Sequence, residues 1–107
     1  MISRQSGRVI VDAGSKSIAD PANVTVVGHD GLTVVRFDEE HGVFAAPEGS
    51  ALAVGDSVAL VPGYSPSTVN CYDAYHVVRD GIVTDIWPVI PRGPGHHGLA
   101  ARPGERY

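Results

Sequence analysis

The chain has 107 residues, 43% of them hydrophobic and 19% charged, with a net charge of −4 at neutral pH. That suits one domain with a modest core and is far short of the roughly 250 residues a complete α/β barrel needs. The acidic balance speaks against a nucleic-acid partner, no apolar run is long enough for a membrane span, and a lone cysteine with no signal-like N-terminus leads us to expect a cytoplasmic protein.

Thirteen glycines and eight prolines are spread along the chain and cut it into short segments. Arg8–Val11 is β-branched and stops at Asp12-Ala13-Gly14. Val24–Val27 and Leu32–Phe37 follow, and His29-Asp30-Gly31 between them reads as a hairpin turn, because Asp-Gly accepts the positive φ that tight turns need. Val43–Ala46 is short, and Val58–Val61 ends at Pro62-Gly63. Tyr75–Val78 and Ile82–Val89 flank Arg79-Asp80-Gly81, the clearest hairpin signal in the chain. Ser15–Ala19 has room for one helical turn, but no longer window carries apolar residues at a 3.6-residue period. The expected class is all-β, a small barrel or sandwich over residues 1–93, with a Gly/Pro/Arg-rich tail over 94–107.

Few residues carry recognisable chemistry. The five histidines, His29, His41, His76, His96 and His97, form no zinc spacing with Cys71. His96-His97 reads as a solvated pair, and Cys71 as a small core residue rather than a nucleophile. There is no nucleophile elbow and no phosphate-cradling glycine loop. Lys16 is the only lysine; a surface role is its bland reading, a Schiff base its sharp one. Glu39-Glu40-His41-Gly42 sets carboxylates before an imidazole, which holds the ring's tautomer, although a polar turn explains it as well. Pro62–Asn70 is a long polar segment with two prolines between two strands, the kind of rigid loop that lines sites.

Taken in order, Asp12-Ala13-Gly14-Ser15-Lys16-Ser17, Glu39-Glu40-His41-Gly42, Val54-Gly55-Asp56, Pro62 to Asn70, Asp85-Ile86-Trp87-Pro88-Val89 and Arg92-Gly93 resemble one family. It is the C-terminal β-domain of the D-threonine aldolase and D-serine dehydratase family, pyridoxal-phosphate enzymes of the alanine racemase fold type. The resemblance runs from about Ile2 to Gly93. It implies a D-amino-acid lyase or aldolase in which this domain completes the active site of a preceding barrel. The barrel holds the cofactor and its lysine, so this chain alone is expected to bind no cofactor, and Lys16 matches a lysine of the β-domain's own motif, either structural or lining the site mouth.

The resemblance also exposes departures. The family holds a divalent metal in a Pro-x-His-x-Cys/Asp-Pro-Thr-Val-Asn segment, where this chain has Tyr64 in place of the His and Pro66 in place of the Cys or Asp. A proline side chain has no donor atom and a neutral phenol is a poor ligand, so the zinc or manganese site is expected to be lost. Alanine racemases use a β-domain tyrosine as acid/base at the substrate α-carbon. Tyr64 and His41 are therefore the candidate catalytic residues, and Ser65 and Thr68 the candidate substrate-binding residues. Family members enter this domain from a strand before Ile2-Ser3-Arg4, so a fragment, a split subunit or a misplaced start is expected at Met1. The orphaned apolar face implies a homo-oligomer, simplest as a dimer, or a barrel-bearing partner chain. The competing readings are a stand-alone, non-catalytic binding or oligomerisation module and an unrelated small β-barrel.

Overall fold

Short β-branched runs bounded by glycine and proline become eight strands and one helical turn in the computed structural model, which describes residues 1–93 and 103–104. The strands are β1 (Ser3–Gln5), β2 (Arg8–Val11), β3 (Thr25–Val26), β4 (Thr33–Phe37), β5 (Gly42–Ala45), β6 (Leu60–Val61), β7 (Ala74–Arg79) and β8 (Ile82–Pro88), with α1 (Ser65–Val69) between β6 and β7. Most of the expected tail, including His96-His97, lies outside the described residues.

The all-β class holds. An antiparallel four-stranded sheet runs β1-β2-β5-β4, while β3 pairs with β6 and β7 with β8 as separate two-stranded ribbons. Among the described residues, hydrogen bonding does not run continuously around a barrel. The core lies against the four-stranded sheet. Val9 and Val11 of β2 and Phe44 of β5 cluster with Val26 of β3 and with Val24, Leu32 and Leu52 from the connecting segments. Phe44 is fully buried and meets the Phe37 ring edge-to-face at 6.0 Å between centroids, a favoured aromatic geometry.

One expected hairpin forms and one does not. At Arg79-Asp80-Gly81, Asp80 (φ 49°) and Gly81 (φ 77°) both take the left-handed conformation a two-residue turn demands, and β7 and β8 pair across it. His29-Asp30-Gly31 joins no hairpin, because β3 pairs with β6 and β4 with β5. Gly28 (φ 76°) takes the strained backbone instead, and Leu32 N donates to His29 O to close the bend. The Pro62–Asn70 segment, expected as a loop, contains α1. Pro66 sits in its first turn, where the missing N–H has no partner to lose.

Candidate functional site

Two turns that lie far apart in sequence are built as one unit. Ser15 N donates to Asp38 O (2.9 Å) and Lys16 N to Glu39 O (3.1 Å), so the Gly14–Ser17 turn sits on the β4–β5 turn that carries His41. Glycine is required at the contact. A Cβ on Gly14 would lie 2.3 Å from Asp38 O and 2.5 Å from His41 N, and one on Gly42 would lie 2.7 Å from Ala13 O. Lys16 Nζ pairs with Glu40 Oε1 at 2.5 Å on the surface. The hydrogen bond and charge of Lys16 hold the Glu40 carboxyl below the usual glutamate range, with a smaller contribution from His41. The His41 side chain is exposed.

The second part of the site is α1. Tyr64 is its N-cap residue in extended conformation, makes no side-chain cap, and leaves its ring exposed. Ser65 is exposed at the first helical position, and Pro66 follows it. Thr68 is the one buried polar residue among those described, and its Oγ1 has no hydrogen-bond partner. Gly63 lets the chain reach α1, since a Cβ there would fall 2.2 Å from Ala22 O. Cys71, expected in the core, is exposed instead: it follows the end of α1, where its Sγ donates to Ser67 O.

No hydrogen bond joins His41 to Tyr64 among the described residues. They belong to one framework through an intermediary: Tyr72 Oη, just past α1, donates to Ser17 O at 2.9 Å in the turn that sits on the His41 turn. Sequence reasoning missed the residues that hold α1 from behind. Asn70 Oδ1 accepts from Gly93 N (2.6 Å), Arg92 Nη2 pairs with Asp73 Oδ1 (2.7 Å), and Val89 N donates to Asp73 O (2.8 Å). Asn70 and Gly93 stand among the motif residues, but no local pattern says that they bond across 23 positions.

The donor set differs from what the groups implied by the resemblance require. Around the family's metal positions stand a phenol (Tyr64), hydroxyls (Ser65, Ser67) and a proline without a donor (Pro66), which do not fit a zinc or manganese centre. Among the described residues, no cluster of three His, Cys, Asp or Glu side chains has metal-holding geometry. The chain's one lysine is engaged by Glu40 in the open, which does not fit a desolvated Schiff-base lysine.

Comparison with known proteins places the architecture. Residues 1–78 match the family model described as putative serine dehydratase domain. The chain is 42% identical over 88 residues to D-threonine aldolase of Arthrobacter sp, a match covering 80% of this chain and 23% of that protein. It superposes on the crystal structure of D-threonine aldolase from Filomicrobium marinum with a TM-score of 0.72 at 35% identity, covering 81% of this chain and 25% of that one. It is also 32% identical over 96 residues to an uncharacterized protein of Mycobacterium bovis, covering 83% of this chain and 72% of that protein. The chain thus spans about a quarter of the length of the aldolases it matches. Among the described residues, no helix is long and apolar enough to cross a membrane. With the family model reaching across the core sheet, α1 and most of β7, this chain belongs to the serine dehydratase domain family.

Proposed function

We propose that this chain is the β-domain of a pyridoxal-phosphate-dependent enzyme acting on β-hydroxy D-amino acids, and that it completes an active site whose cofactor and Schiff-base lysine lie in an α/β barrel. One observation carries the reading: 80% of this chain matches only 23% of D-threonine aldolase. The cofactor-bearing part of such an enzyme then lies in the remaining three quarters. In this reading the Gly14–Ser17 turn, the His41 turn and α1 form the rigid rim that meets the barrel.

The residues of this chain then act as follows. Tyr64 presents its phenol oxygen from the start of α1 to hold or move a proton at the substrate α-carbon. His41 offers a second polar group from the neighbouring turn, and exposed Ser65 a hydroxyl beside Tyr64. With Pro66 and Tyr64 at the metal positions, no step is assigned to a metal. Exposed Cys71 suits a reducing, cytoplasmic setting.

The test starts from native complexes isolated from the protein's own cells. The chain is expected within a longer polypeptide or bound to a barrel-bearing one, and in that form Tyr64→Phe should lower D-amino-acid turnover by about 100-fold or more. Unchanged turnover removes Tyr64 from the chemistry. A chain found without any barrel overturns the whole reading and favours the second one, a non-catalytic binding or oligomerisation module. That alternative draws support from the Mycobacterium bovis relative, 72% of which is spanned by this chain, leaving little room there for a barrel.

A further inference from the structure

Residues 64–93 form a unit that holds itself together. Asn70 and Asp73, just past α1, bond to Gly93, Arg92 and Val89 beyond β8. Between α1 and the start of β7 lies a cavity of about 440 Å³, and every residue lining it falls between Pro62 and Val89. The apolar core does not reach into this unit, since its cluster includes no residue beyond Leu60.

Two points fasten the unit to the rest of the chain. One is the covalent link at Pro62-Gly63, where a Cβ on Gly63 would fall 2.2 Å from Ala22 O and 2.7 Å from the Asn23 Cβ. The other is the bond from Tyr72 Oη to Ser17 O at 2.9 Å. Among the described residues it is the one hydrogen bond or ion pair that joins residues 64–93 to residues 1–61. A body held at one point swings about it. A second point about 10 Å away, roughly the length of α1 with its ends, removes most of that freedom.

Tyr72 is anchored on both sides. Its N–H donates to Val69 O at the end of α1, and its phenol reaches a carbonyl that the Gly14–Ser17 turn leaves free, because Gly14 O already takes the N–H groups of Ser17 and Ile18. That turn rests on Asp38 O and Glu39 O, and Asp38 N donates to His41 O at 2.8 Å. Hydrogen bonds thus link the end of α1 to the backbone of His41, while Tyr64 and Ser65 stand at the other end of the same helix.

We infer that Tyr72 is the positioning residue of the site: its phenol sets the seat of α1 and so places Tyr64 and Ser65 relative to the His41 turn. The tie is a property of this chain, whereas its effect on turnover rests on the function proposed above.

Residual dipolar couplings on the full chain test the tie. In the natural chain one alignment should fit residues 1–61 and 64–93 together. Tyr72→Phe keeps the ring and loses the donor, which shifts the balance from fastened to swung about fivefold. Residues 64–93 should then need an alignment of their own. Tyr72 is 46% exposed, so the variant should still fold. Tyr75→Phe, in the same unit, should keep the single alignment. In the barrel-bearing form, Tyr72→Phe should lower kcat about fivefold and leave KM and the thermal midpoint in place, whereas a purely structural role would lower the midpoint and spare kcat. A single alignment in Tyr72→Phe, or two in the natural chain, overturns the tie. Full kcat in Tyr72→Phe, in a form that Tyr64→Phe impairs, overturns the positioning role. If Tyr64→Phe leaves turnover untouched, the proposed function fails, and the couplings alone decide whether Tyr72 sets the seat of α1.

Discussion

β5 and β8 are both apolar strands, yet they end in opposite environments. β5 lies between β2 and β4, and Gly42, Val43 and Phe44 are buried in succession. β8 has a single neighbour, β7, and every residue from Ile82 to Pro88 is exposed, including Ile86 and Trp87. No residue of the β7–β8 ribbon enters the core cluster. β-propensity and turn chemistry therefore formed both elements, but only β5 found cover within the domain. An isolated two-stranded ribbon is marginal in water, and this one leaves Ile86 and Trp87 more than half exposed. The core sheet is the part that holds the fold, and the ribbon is the part available for assembly.

The contrast is sharpest under side-chain truncation. Phe44→Ala removes the fully buried centre of the core and its edge-to-face contact with Phe37, and should cost about 3–5 kcal/mol in chemical denaturation. Ile86→Ala on the ribbon should cost under about 0.5 kcal/mol in dilute solution. Comparable losses at the two positions would mean that the ribbon packs on the core in solution, and the division between holding and assembling regions would fail.

A second, smaller effect tests whether the site's frame belongs to the core region. Gly14→Ala drives a methyl group into three backbone atoms, Asp38 O, Glu39 O and His41 N. Backbone cannot yield as a side-chain tip can, so the Gly14–Ser17 turn should lift from the β4–β5 turn at a cost of about 1–3 kcal/mol. Amide exchange at Ser15 and Lys16, whose N–H groups donate into that turn, should accelerate. Unchanged protection there would show that the two turns are not mechanically joined.

What the sequence made legible follows the same division. Arg8–Val11 and the Asp80-Gly81 hairpin were readable because their causes are local: β-branching in the first, and two residues tolerant of positive φ in the second. Asp30-Gly31 misled, because the same dipeptide signals a reversal without saying that β3 will pair with β6, some 35 positions away. The helix α1 stayed hidden because five residues make too little of a period to detect, and its proline resembled a loop signal. At the site, the ordered motifs led to the right family. Yet Gly14, Gly42, Asp56 and Asn70 turn out to close turns and hold backbone together. The departures at Tyr64 and Pro66 were visible as substitutions, whereas the burial of Thr68 beside a cavity depends on the start of β7 and Val89 meeting α1 and has no trace in the linear pattern.

The smallest expected effect concerns Lys16, two residues beyond Gly14 in the same motif. Its bond to Glu40 lowers the carboxyl pKa in the folded chain. A depressed folded pKa adds stability that is present above the ordinary glutamate range and is lost as pH falls through the folded value. Both side chains are more than 60% exposed, so water and salt screen the pair and its share of stability is slight. Carbon-detected titration should show Glu40 ionising below the usual glutamate range, and Lys16→Gln should return it there, as should high salt, while the thermal midpoint hardly moves. If Lys16→Gln instead released the turn as fully as Gly14→Ala, the ion pair would be the fastening and the glycine only its clearance. The close backbone approach argues for the reverse. The carbonyls of Asp38 and Glu39 already hold the turn through two N–H donors, and the Lys16–Glu40 pair adds only an exposed contact beside them.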